Sequence, residues 1–216
     1  LASGPRIGRC GRMNRRAFAG QSLIAGVDEA GRGPLAGPVV AAAVVLGRDA
    51  PAGLDDSKKL SAKRRAALEG QIQQTCHWAL GIAEVDEIDR INIFAATMLA
   101  MTRAMDSLCT KLGAEPGEVL IDGNLTPAGR CDGWRWNARP LVGGDGLQPC
   151  ISAASIIAKE HRDRVMREAA QRHPHYGWER NMGYGTREHL AALRAHGATP
   201  LHRRSFAPVA QLDMFC

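Results

Sequence analysis

Leu23-Ile24-Ala25-Gly26-Val27-Asp28-Glu29-Ala30-Gly31-Arg32-Gly33-Pro34-Leu35-Ala36-Gly37-Pro38-Val39-Val40-Ala41-Ala42-Ala43-Val44-Val45-Leu46 is the stretch that decides the fold. An apolar run of strand length, Leu23 to Val27, stops at two acids, Asp28 and Glu29. Glycines at 31, 33 and 37 then bend the chain, and a second β-branched run follows from Val39 to Leu46. Adjacent side chains on a strand point to opposite faces, so the two acids are expected to share one site only where the strand ends and the chain turns. The glycines leave bare backbone that can approach something large. Arg32, among them, is a fixed cation suited to phosphate. Acids at the carboxyl end of a strand beside such a segment read as a phosphate-handling metal site.

Working outward, Ser61 is placed to cap a helix running to about Gln74, and Trp78 to Ala83 reads as a third strand closing an antiparallel meander. Asn92 to Leu112 carries apolar residues at helical spacing, its methionines serving as core filling. Val119 to Asp122 is a short buried strand ending in an acid, and Arg139 to Val142 leads into Gly143-Gly144-Asp145-Gly146. Three strands thus deliver acid to their ends, where open α/β sheets carry ligands. A long helix from Ile151 to about Arg172 begins with small residues that let it press on the sheet. Lys159, His161, Arg162, Arg164 and Arg167 are read as its exposed basic side. Thr186 caps a last helix to about His196, with Gly197 as a left-handed stop.

Asp28, Glu29, Asp122 and Asp145 form an oxygen-only set, which suits Mg2+ or Mn2+ and not zinc. Two such ions about 4 Å apart support in-line phosphodiester displacement. No serine elbow or comparable nucleophile competes. The histidines receive no role, and Tyr176, Trp178 and Trp134 are assigned to packing. The chain has 216 residues, 45% of them hydrophobic, a net charge of +6 and a pI near 9.3. These values exclude disorder throughout and suit a polyanionic partner. No run is long and apolar enough to span a membrane. Six cysteines lack paired spacing, so reduced thiols in a cytoplasmic protein are expected.

Gly26 to Val39 resembles the signature of the type 2 ribonucleases H, the ribonuclease HII family. The likeness continues at Asp56-Ser57-Lys58-Lys59-Leu60-Ser61, Leu120-Ile121-Asp122-Gly123-Asn124, Ile151 to Lys159, Gly183-Tyr184-Gly185-Thr186, His196 to Thr199 and His202 to Phe206. It implies an α/β, ribonuclease H-like fold: a central mixed sheet of about five strands flanked by helices, with a C-terminal helical appendage. Asp28, Glu29, Asp122 and Asp145 would then be the catalytic, metal-holding carboxylates, with Mg2+ or Mn2+ as two ions. The implied reaction is cleavage of the RNA strand of RNA–DNA hybrids, and cleavage 5′ of single ribonucleotides in duplex DNA, leaving 5′-phosphate and 3′-hydroxyl ends. Gly31, Arg32 and Gly33 would contact the ribonucleotide and its 2′-hydroxyl, Lys58 a phosphate, and Tyr184 the sugar at the junction. Two positions depart from the family: Gly143 and Met182 stand where lysine is common.

The expected layout is a basic, disordered extension over 1–22, a catalytic core over 23–170, a helical region over 171–208 completing the substrate channel, and a tail over 209–216. Met13 is read as a start site within the extension. Within the tail, Gln211, Leu212, Met214 and Phe215 resemble the short peptides that dock bacterial replication and repair enzymes on the sliding clamp. The protein is expected to act as a monomer. Two other readings stay open on the residues alone: another carboxylate nuclease of the same fold, and a nucleic-acid-binding module without catalysis. The second leaves three strand-end acids unexplained, since they repel phosphate unless metal is bound.

Overall fold

The computed structural model describes residues 23–212. The extension over 1–22 and the last four residues, Met214 and Phe215 among them, lie outside the described residues. Five strands, β1 (Ile24–Ala30), β2 (Val39–Val45), β3 (His77–Ala83), β4 (Glu118–Asp122) and β5 (Ala138–Leu141), make one mixed sheet in the order β3-β2-β1-β4-β5. The first three form the antiparallel meander; β4 and β5 run parallel to β1. Helices α1 (Ala62–Thr75) and α3 (Pro149–Arg172) cover one face, and α2 (Val85–Leu112) covers the other. Three short helices follow: α4 (Trp178–Asn181), α5 (Arg187–His196) and α6 (Ala207–Ala210).

Strand alternation sorts the core. Ala25, Val27, Val39, Ala41, Ala43 and Val45 pack against α2, while Ala42 and Val44 pack against α1 and α3. The small residues let the helices come close. A Cβ at Gly26 would run into the backbone of Cys150 and Ile151 at the start of α3. One at Gly81 would run into the backbone of Ala100 and Ala104 in α2. Ser61 caps α1, its hydroxyl accepting from the Arg64 N–H at 3.3 Å, and Thr186 caps α5 the same way for His189.

Three local expectations are corrected and a fourth is extended. The first strand runs on through both acids to Ala30, because Asp28 and Glu29 pair with Ala42 and Ala41 of β2. The helix expected from Asn92 does start there, but a further helical segment, opened at Val85 by a capping box between Glu84 and Glu87, runs into it. Asn92 then kinks it at φ 67°, its side chain re-capping Phe94 and Ala95. Gly197 stops α5 with φ 75° but ψ −173°, an extended glycine conformation and not a left-handed turn. Asp145 sits three residues beyond the fifth strand's expected end, on a single 3-10 turn, Gly144–Gly146.

Among the described residues no helix is long and apolar enough to cross a membrane. Cys76, Cys109, Cys131 and Cys150 are free thiols.

Candidate active site

β1 and β4 are neighbours and parallel, so Asp28 and Asp122 project from the same face near the same edge of the sheet. The turn after β5 brings Asp145 to them. One carboxylate oxygen from each of the three lies within 4.8 Å of the others. Asp28 is buried, and its Oδ1 accepts the Glu29 N–H at 2.7 Å. Ser155 of α3 and Ser57 line the same cleft as Asp28. The Ser155 and Ser57 hydroxyls are hydrogen-bonded to each other at 2.7 Å. The 145 backbone is held in turn by the Ser152 hydroxyl, which donates to its carbonyl at 2.6 Å.

Glu29 lies outside this trio. Alternation turns it to the α2 face, where it ion-pairs with Arg32 at 3.3 Å and borders a cleft with Phe94, Met98 and Asp122. Asp28 and Glu29 therefore straddle the strand instead of sharing one side of it.

The electrostatics are those of an anion cluster. Burial first, then Glu29 and Asp122, hold the Asp28 carboxyl well above its ordinary value. Burial followed by Asp122 raises Asp145, and burial raises Glu29 against the opposing pull of Arg32. Burial opposes the charge of Lys58, but Asp56, Asp145, Asp28 and Asp122 outweigh it and raise the ammonium. Such a set is short of positive charge. Three clustered hard oxygens fit a divalent cation.

A second cleft opens beside the trio, lined by Asp28, Glu29, Gly31, Arg32, Gly33, Lys58, Lys159 and Tyr184 among others. The half-exposed Tyr184 ring lies over Gly33, where an added Cβ would sit 3.4 Å from it. All the expected contact residues thus face one cleft. Gly31 and Gly37 take positive φ, 97° and 84°, as a turn of this shape requires.

The residues that hold this turn were missed in the sequence. Arg162, read as part of an exposed basic face, is only 2% exposed. Its guanidinium donates to the carbonyls of Ala36, Pro38 and Met182. Arg203 is fully buried and donates to those of Gly31, Arg32, Pro34 and Gly37 at 2.6–2.9 Å. Burial lowers Arg162 to about 10 and Arg203 to about 9. Among the described residues neither hydrogen-bonds a carboxylate; seven carbonyls take that place. Two more cations of the supposed basic face are paired, Arg164 with Glu69 and Lys159 with Asp163. Only the small residues and glycines of the turn hinted at this, since buried cations need bare carbonyls close by.

Gly143 takes φ 68°, which suits glycine better than lysine. Met182 packs into the apolar cluster of the C-terminal helices. Tyr176 and Trp178 stack in that same cluster, and Trp134 packs edge-on against Trp136.

The family described as ribonuclease HII matches residues 25–209. The chain belongs to the ribonuclease HII family. It is 74% identical over 191 residues to ribonuclease HII of Novosphingobium aromaticivorans, covering 88% of this chain and 97% of that one. Two solved structures share the ribonuclease H-like fold. The ribonuclease HII in the PCNA:RNase HII complex from Archaeoglobus fulgidus matches at a TM-score of 0.66 and 23% identity, over 84% of this chain and 93% of that one. Bst-RNase HIII in complex with Mn2+ matches at 0.70 and 20%, over 99% and 78%. As a ribonuclease HII family member, the chain is a nuclease of the phosphodiester hydrolase class with ribonuclease H activity.

Proposed function

We propose that the chain cuts the RNA strand of RNA–DNA hybrids and cuts duplex DNA 5′ of single embedded ribonucleotides, leaving 5′-phosphate and 3′-hydroxyl ends. The observation that carries this reading is the adjacency of the Asp28–Asp122–Asp145 trio to the Gly31–Gly33 turn under the Tyr184 ring. Asp28, Asp122 and Asp145 would hold two divalent ions, Mg2+ or Mn2+, with Glu29 contributing from the other side of β1. Bound there, such ions supply a nucleophilic water and neutralise charge on the scissile phosphate. The Asp145 backbone is kept in place by Ser152. Lys58 and Arg32 meet the phosphates as cations. The 2′-hydroxyl is what tells RNA from DNA at one position, and the turn's backbone with the Tyr184 ring above it forms a slot for that sugar.

Tyr184→Ala should lower cutting at a single embedded ribonucleotide about tenfold or more, and cutting of a continuous hybrid by much less, because a lone ribose offers no second register. Initial rates on the two substrates check this; equal losses would remove Tyr184 as the junction sensor.

The segment from Gln211 is proposed to bind the sliding clamp in the cytoplasm, Gln211 by side-chain hydrogen bonds and Leu212, Met214 and Phe215 by apolar contact. The solved relative in complex with PCNA lends support. Leu212 packs here against the C-terminal cluster beside Leu190 and Leu193, so docking must release it. Calorimetry of purified clamp against the full chain and a version ending at Ala210 should show binding by the first alone. Equal binding by both, or none by either, refutes it.

A further inference from the structure

Two histidines outside the acid cluster, His189 of α5 and His202, are buried to 0% and 1% exposure, with their Nε2 atoms 3.0 Å apart. Their proton positions follow from what surrounds them. The Trp178 indole N–H, which can only donate, points at His189 Nε2 at 3.1 Å, so that nitrogen accepts. His189 therefore carries its proton on Nδ1, 2.9 Å from the Tyr184 carbonyl. The Thr199 backbone N–H points at His202 Nδ1 at 2.9 Å, so His202 carries its proton on Nε2 and donates it to His189 Nε2. In this arrangement Trp178 and His202 share the one lone pair of His189 Nε2.

We propose that His189 and His202 are a positioning pair, locked as two opposite neutral tautomers, that fixes the peptide carrying Tyr184 over the Gly31–Gly33 turn. The same element reaches the other wall of the slot. His202 bridges to Ala36, and its neighbours take part: the Arg203 N–H donates to the Leu35 carbonyl and the Gly37 N–H to the Leu201 carbonyl. The Leu35 N–H donates to the Gly183 carbonyl, one residue before Tyr184. Ring and turn are thus referred to one buried frame. Burial keeps both imidazoles below their ordinary proton affinity, as a neutral pair requires. The inference rests on the reading of Tyr184 as the residue that senses a single ribonucleotide.

Two substitutions at one position separate the pin from mere packing. His189→Asn keeps an N–H where Nδ1 stands and loses the acceptor for Trp178 and His202. His189→Gln does the reverse, keeping the acceptor and losing the bond to the Tyr184 carbonyl. Each leaves one side of the pair unmet, so both should destabilise the fold comparably. Amide exchange over residues 183–186 should quicken about tenfold or more in the Gln variant and by less than about threefold in the Asn variant. The ratio of single-ribonucleotide to continuous-hybrid cutting should fall in the Gln variant as it does in Tyr184→Ala, and hold in the Asn variant. Equal effects of the two variants on exchange would overturn the pin. If exchange splits as expected while neither Gln nor Tyr184→Ala moves the ratio, the pin stands and the sensing role of Tyr184 fails. If Tyr184→Ala moves the ratio and the Gln variant does not, the sensing role stands and the pin is overturned. Imidazole 15N spectra of the unaltered protein should show His189 protonated at Nδ1 and His202 at Nε2; the opposite tautomers contradict the proposal.

Discussion

Asp28→Asn or Asp122→Asn should lower cleavage about a thousandfold or more while leaving the fold and hybrid binding intact. A carboxamide is a poor ligand for a hard cation, and a divalent ion in phosphoryl chemistry supplies several kcal/mol of charge stabilisation, which converts to that factor. The substitution is isosteric, so the Glu29 N–H keeps an oxygen to donate to at position 28. The physics also predicts the opposite sign for stability. Burial, Glu29 and Asp122 all disfavour a charged Asp28, so without metal the ionised carboxylate opposes folding at neutral pH. With a raised folded value, that penalty is absent at pH below the ordinary carboxylate range and grows as pH rises. Asp28→Asn should therefore melt above the unaltered protein in chelator at neutral pH. Added Mn2+ should raise the melting temperature of the unaltered protein and move the variant little. Cleavage within a few-fold of normal in either variant would exclude the metal site described here.

Arg203→Ala should cost about 3–5 kcal/mol of stability, the range for removing one partner from a buried charged network. Four carbonyls, of Gly31, Arg32, Pro34 and Gly37, would lose a donor that is itself fully buried. The desolvated charge itself is expensive, as its lowered proton affinity shows, so part of that loss is returned. Lysine cannot substitute: one ammonium on a flexible stem does not span four acceptors. Arg203→Lys should recover less than half of the loss, measured as the denaturant midpoint. In both variants the preference for ribonucleotide junctions should erode, since the turn loses its shape. A change below about 1 kcal/mol in the alanine variant would mean that the turn holds itself.

Much of this was legible because local pattern and tertiary role coincide. The apolar run from Leu23 and the β-branched run from Val39 are strands, the Ser61 and Thr186 caps start their helices, and the acids lie where sheet order brings β1 and β4 together. Strand ends proved harder. Asp28 and Glu29 read as the strand's stopping point, yet pairing with Ala41 and Ala42 carries it on, and two-residue alternation then divides the acids between faces. Arg162 shows the other limit. Its helical spacing among Lys159, Arg164 and Arg167 marks a solvated side by every local rule, and only the carbonyls of a distant turn explain its burial. The histidine pair was invisible for the same reason: thirteen residues separate its members, and Trp178 and Thr199 set its tautomers from other segments.

With divalent ions, these acids should cut beside a ribonucleotide recognised by its sugar. End-mapping of products from duplex DNA holding one ribonucleotide tests it most directly, with Mg2+ or Mn2+ and with chelator, next to an all-DNA duplex. The predicted result is a single cut on the 5′ side of the ribonucleotide, a 5′-phosphate on the downstream fragment, no product with chelator and an intact all-DNA duplex. Cutting of the all-DNA duplex, or cutting that survives the chelator, would contradict it.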